Sequence, residues 1–94
     1  MQYLLLIENN CSEATADEWD AFFELANKSG FFRGGSAIGA CEMIGGKASN
    51  LATEHLGGYM RFDANDRDAL LALLEKHPVA LRGGTLHLCD LPRD

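Results

Sequence analysis

The sequence predicts an α+β fold in which one antiparallel sheet carries two helices on a single face. Three observations predict it. Residues 3–7 (Tyr3, Leu4, Leu5, Leu6 and Ile7) read as a strand that is apolar on both sides, so both sides must leave water. Two later segments place apolar residues at helical spacing, and each lies between strand-like stretches. The two strands nearest the C-terminus alternate with a period of two, the pattern of a sheet covered differently on its two faces.

The elements follow in chain order. After the first strand, residues 9–14 are polar and turn-like, and Thr15 with Glu18 three residues later has the spacing of a capping box. A helix over about residues 16–29 follows, with Trp19, Phe22, Phe23 and Ala26 on one stripe and Gly30 free to take the left-handed angles that end it. Phe31 and Phe32 lead into a second strand over residues 34–38, entered through a bulge at Gly34-Gly35 and continuing through Met43 and Ile44. Gly45-Gly46 suits a two-residue hairpin turn, and residues 47–53 are mixed in period and read largely as loop. The third strand spans residues 56–62, with Tyr59 and Arg61 sharing a face with His55, and Met60 and Phe62 on the other. Asn65 caps a second helix whose first turn carries Asp66 and Asp68 and whose stripe is Leu70, Leu73 and Leu74. Lys76 and His77 close it at the negative end of the helix dipole, and Pro78 stops it. The last strand covers residues 85–89, with Leu86 and Leu88 opposite Thr85, His87 and Cys89.

This β-α-β-β-α-β order is the ferredoxin-like arrangement. Right-handed crossovers put both helices on one side and the first strand near the middle of the sheet. The other face is then bare, and a second copy of the chain is the expected cover. A homodimer paired through that open face is therefore predicted, with a small-molecule cavity along it.

At 94 residues the chain is predicted to form one domain spanning residues 1–94. With 47% hydrophobic residues and two prolines it is not a disordered sequence, and no apolar run approaches the ~20 residues needed to cross a bilayer. Its start lacks a basic segment followed by an apolar core, so cytoplasmic residence is expected. The net charge of −6 is concentrated early: Glu8, Glu13, Asp17, Glu18, Asp20 and Glu24 all precede the first base, Lys28. Such a field repels phosphate backbones and anionic lipid, so neither nucleic acid nor membrane is an expected partner. Cys11, Cys41 and Cys89 are odd in number and form no Cys-x-x-Cys pair, which suits free thiols. The three histidines are widely spaced, so no metal or other cofactor is expected.

His87 and His55 are the candidate catalytic bases, because histidine titrates near neutrality and alternation brings both to the open face. On the same face, Tyr59 is the candidate hydrogen-bond donor and Arg61 the candidate clamp for an anionic group of the substrate. Two readings of this set stand: a lyase- or isomerase-type site, or polar cross-strand and dimer contacts in a noncatalytic binding or regulatory module. Trp19, Phe22 and Phe23 read as core or dimer packing, and His77 as a helix-terminal residue.

The stretch Leu56-Gly57-Gly58-Tyr59, then the leucine helix ending in Lys76-His77-Pro78, then Gly83-Gly84-Thr85-Leu86, resembles the YCII-related family, in particular its DGPF branch. Residues 1–7 and Gly34-Gly35-Ser36-Ala37 are similar too, so the resemblance covers most of the chain in order. It implies a dimeric α/β barrel made of two ferredoxin-like sheets packed face to face. The chain departs from the branch in lacking the Asp-Gly-Pro-Phe segment itself, the stretch before Leu56 being shortened to residues 48–55. Another branch pairs a first-helix histidine with an aspartate before a proline, and a few members catalyse elimination on hydroxylated aromatics. This chain has no histidine before Gly30 and has His77 ahead of Pro78, so that pair does not carry over.

Overall fold

In the computed structural model, which describes residues 1–46, 49 and 53–92, the first strand lies inside the sheet as its two-sided apolarity requires. β1 (Gln2–Glu8) buries Tyr3, Leu5 and Ile7 on one face and leaves Leu4 and Leu6 half-buried on the other. It pairs antiparallel with β3 (Leu56–Asp63) on one side and β4 (Leu86–Leu91) on the other, and β2 (Phe32–Ala37) completes the sheet beyond β3. The strand order is β2-β3-β1-β4.

All the helices cover the Leu5 face. α1 (Ala16–Ser29) contributes Phe22 and Ala26 to the core, and α2 (Arg67–Leu74) contributes Leu70 and Leu74. Met60 and Phe62 of β3 close that core from the sheet side. The expected capping box is present: the Thr15 hydroxyl accepts from the Glu18 N–H at 3.2 Å, and Gly30 ends the helix at φ 76°. Glu18 has a second partner, Arg82, whose Nε donates to Oε2 at 2.9 Å and whose Nη2 donates to Oε1. The guanidinium holds the Glu18 carboxyl down at about 2, so the cap keeps its ionised form at all ordinary pH.

Several boundaries differ from those expected. The cap of α2 is Asp66, not Asn65: its carboxylate accepts from the Ala69 N–H at 3.1 Å. α2 ends at Leu74 instead of running to His77, and Pro78 begins a third helix, α3 (Pro78–Leu81), where its missing N–H costs nothing at a first turn. His77 is the cap of that short helix, with Nδ1 accepting from the Val79 N–H at 3.1 Å. The dipole reading of His77 therefore fails: the ring is fully buried, and burial lowers its pKa to about 4, which leaves it neutral. β2 starts at Phe32 and is bulged before Gly35, as the glycine pair suggested, but stops at Ala37. Met43 and Ile44 form no strand, and Gly45-Gly46 makes no hairpin: pairing ends with Ile38 N–H on the Gly57 carbonyl at 3.0 Å. Of the stretch 47–53, only Ser49 and Thr53 lie among the described residues.

Candidate functional site

Antiparallel register places the predicted residues of the open face in two rows. Ser36, Tyr59, Leu6 and His87 are successive cross-strand partners, and Arg61, Leu4 and Cys89 form the next row. Tyr59 and His87 flank Leu6, two strand spacings or roughly 10 Å apart at the backbone. His55 precedes β3 on an exposed turn, where its carbonyl accepts from the Asn9 N–H at 2.9 Å. Arg61 is exposed. Alternation thus assigns the face correctly, but the four side chains do not converge on one point.

The contact that matters for His87 is with a residue not expected from the sequence. Its Nε2 lies 2.5 Å from Oε2 of Glu8, the last residue of β1. An ionised carboxylate only accepts, so the ring nitrogen carries the proton and donates it. Glu8 continues the two-residue alternation of Leu4 and Leu6, a signal that placed it on this face from the start.

A cavity of about 600 Å³ opens beside the sheet, between its β2–β3 edge and the start of α1. It exists because small residues meet there. Gly35, Ser36, Ala37, Gly57 and Gly58 line it, and Gly35 and Gly58 face Met60 and Ala37 across β2–β3, leaving no large side chain to fill the space under α1. The apolar wall comes from Trp19 and Phe23, one turn apart on α1, with Phe32, Met60, Ile7 and Val79. Trp19 and Phe23 stack with centroids 5.8 Å apart at 29°, and Phe32 is 5.8 Å from Phe23 at 47°. All three were expected to be core or dimer packing: Phe22 is in the core and Trp19 is partly buried against it, while Phe23 is 38% exposed and lines the cavity.

Asn9 and Glu13 line its mouth, and Glu8, Ser36 and Tyr59 border it from strand positions whose side chains belong to the open face. Of the four sequence candidates, Tyr59 alone borders the cavity; His87, His55 and Arg61 do not line it, because the cavity lies on the helix side of the sheet. The segment carrying Asn9 to Glu13 is fastened on both sides. Asn9 Nδ2 donates to the Glu54 carbonyl at 2.9 Å, Asn10 exchanges hydrogen bonds with Thr85 at 2.9 and 3.0 Å, and Arg82 Nη1 donates to Ser12 Oγ at 2.9 Å. Such ties hold a binding wall in place before a ligand arrives. Among the described residues, no group of three or more histidine, cysteine, aspartate or glutamate side chains could hold a metal ion. No described helix is long and apolar enough to cross a membrane.

The chain has the same fold as a solved enzyme, 5-chloro-2-hydroxyhydroquinone dehydrochlorinase from Burkholderia phenoliruptrix in complex with 2,5-dihydroxybenzoquinone. The match has a TM-score of 0.56 at 12% identity and covers 100% of this chain and 96% of that one. No protein-family model matches the chain, and no curated protein matches it. The ferredoxin-like class predicted from the sequence is thus the class observed, a four-stranded antiparallel sheet with its helices on one face.

Proposed function

We propose that this protein is a divergent YCII-related homodimer that binds a small, planar, oxygenated ring compound and moves a proton on it, as a lyase or isomerase does. What supports this reading is an aromatic-walled cavity beside α1 and, on the opposite face of the sheet, a histidine bonded to a carboxylate in the neighbourhood of a phenol. Proton transfer is assigned to the open face: Glu8, held by the Nε2–H of the half-exposed His87, takes the proton, and the Tyr59 hydroxyl donates to a ring oxygen as charge develops there. The likeness in fold to an enzyme solved with a dihydroxybenzoquinone supports a ligand of this shape.

The test uses 2,5-dihydroxybenzoquinone and a set of small phenols and carboxylates. At least one ring compound is expected to raise the melting temperature and to quench Trp19, the chain's one tryptophan, which stands in the cavity wall. His87→Ala is then expected to keep binding and to lower turnover by about 10²–10⁴-fold. Failure of every ring compound to bind sinks the reading. Binding with turnover unchanged in His87→Ala removes the histidine from it, and binding without turnover in the unaltered protein favours the noncatalytic module.

The homodimer rests on Leu4 and Leu6. A central strand whose outward residues are leucines leaves an apolar stripe, flanked by Tyr59 and Cys89, on a face that none of the described helices covers. In this reading His55 and Arg61 are polar contacts of the pairing. Sedimentation at micromolar concentration is expected to give twice the chain mass, and Leu6→Lys to give a folded monomer. A stable monomer of the unaltered chain would rule out the pairing.

A further inference from the structure

We infer that the cavity beside α1 selects a ring compound bearing a positive charge, an aromatic amine or a quaternary ammonium, over a neutral or anionic one. The inference rests on the small-molecule reading above and narrows its ligand class.

Charge is the first ground. The acid at the cavity mouth is Glu13, the Glu8 carboxylate being turned to His87 on the other face, and among the described residues no lysine or arginine lines the cavity. The basic residues of neighbouring elements are turned to other partners. Arg82 holds Glu18, Arg33 donates to the Gly30 and Phe32 carbonyls, Lys28 pairs with Glu24, and Arg61 sits in the Leu4 row of the open face. Glu8 is engaged by His87, whereas Glu13 makes no hydrogen bond or ion pair among the described residues. An anionic ring would meet the Glu13 carboxylate with no lining cation among the described residues to offset it. The net charge of −6 adds a field of the same sign over a longer range.

The aromatic wall is the second ground. Trp19 and Phe23 stack at 29°, and Phe32 is inclined to Phe23 at 47°. The face of each ring is the negative part of its quadrupole, so a wall of inclined rings attracts a cation within about 6 Å while also burying its apolar body. Carboxylates and ring faces thus favour the same ligand charge, and the tied Asn9–Glu13 segment fixes the Glu13 backbone where it closes the mouth.

Three probes with a common ring separate the outcomes: benzyltrimethylammonium, benzyl alcohol and benzoate, titrated against Trp19 fluorescence and melting temperature. The cation is expected to bind roughly tenfold more tightly than the alcohol, with benzoate weakest. Glu13→Gln, at an exposed position outside the core, is expected to weaken the cation several-fold and leave the alcohol unchanged, and added salt is expected to weaken the cation alone. If the alcohol or benzoate binds as tightly as the cation, or Glu13→Gln has no effect on the cation, the charge selection is overturned while the small-molecule reading stands. If none of these probes nor any phenol binds, both fall together.

Discussion

Gly35→Val is expected to detach β2 from the sheet and abolish the cavity with it. An added Cβ at this position would lie 2.3 Å from the Tyr59 carbonyl oxygen and 2.9 Å from Met60 Cα. Both are backbone atoms of β3, the strand with which Gly35 pairs, so no rotamer change relieves the contact. The strands must separate, and β2 has no second neighbour to hold it. Overpacking of this kind costs about 1–3 kcal/mol, which is the loss expected for Gly35→Ala; valine, with two further carbons, is expected to exceed it. Gly39→Ala is the control, since an added Cβ there meets nothing within 4 Å, and its urea midpoint is expected to match the parent protein. Because Gly35, Ser36 and Ala37 line the cavity, Gly35→Val is also expected to lose ligand-induced stabilisation. Equal midpoints for Gly35→Ala and Gly39→Ala would contradict the close approach of the two strands.

Acidification from pH 7.5 to pH 5 is expected to remove about 2 kcal/mol of stability through His77 alone. The ring is enclosed by Trp19 at 5.0 Å and Phe22 at 4.7 Å between centroids, and its Nε2 has no hydrogen-bond partner among the described residues. Burial lowers its pKa from 6.5 to about 4. Between these values the unfolded chain binds a proton that the native protein does not, so stability is complete above pH 6.5 and declines as pH falls toward 4. Most carboxylates remain ionised at pH 5 in both states, which keeps the window clear for the histidine. His77→Asn retains an acceptor for the Val79 N–H and removes the titrating ring. It is expected to be less stable at pH 7.5, through the lost packing, but to show a flatter decline to pH 5. An unchanged slope in His77→Asn would assign the acid sensitivity to other groups.

His77 also shows where sequence reading reaches its limit. A histidine before a proline at the end of an amphipathic stripe is read as a charged terminus, because local rules place a cation at the negative end of a dipole. The fold instead turns the chain at Glu75, starts α3 at Pro78 and carries the ring under α1. Similarly, Asn65 and Asp66 are equally good caps in sequence, and the side chain that reaches the Ala69 N–H decides between them. The Gly45-Gly46 hairpin failed for a related reason: a turn dipeptide makes a hairpin only when the strands on both sides pair, and Met43 and Ile44 before it form no strand.

The candidate site was legible in part. Two-residue alternation put Tyr59, Arg61 and His87 on one face, and the same rule extended to Glu8 would have found the partner of His87. The cavity was not legible. Trp19 and Phe23 have the spacing of core residues, and nothing local distinguishes a ring that packs from one that lines an empty space. That space depends on which small residues lie opposite each other, Gly35 across from Met60 and Ala37 across from Gly58, and those pairs are set by a bulge between Phe32 and Gly35.

What the sequence by itself determined is the order of the four strands and the two longer helices, the inner position of β1 and the division of the strands into two faces, because these follow from periodicity and from how much apolar surface must leave water. The tertiary structure alone decided that Glu8 meets His87, that His77 is buried without charge, and that the open volume lies beside α1. Each of these joins residues far apart in the chain, and strand register, which periodicity does not specify to the residue, sets the distances between them.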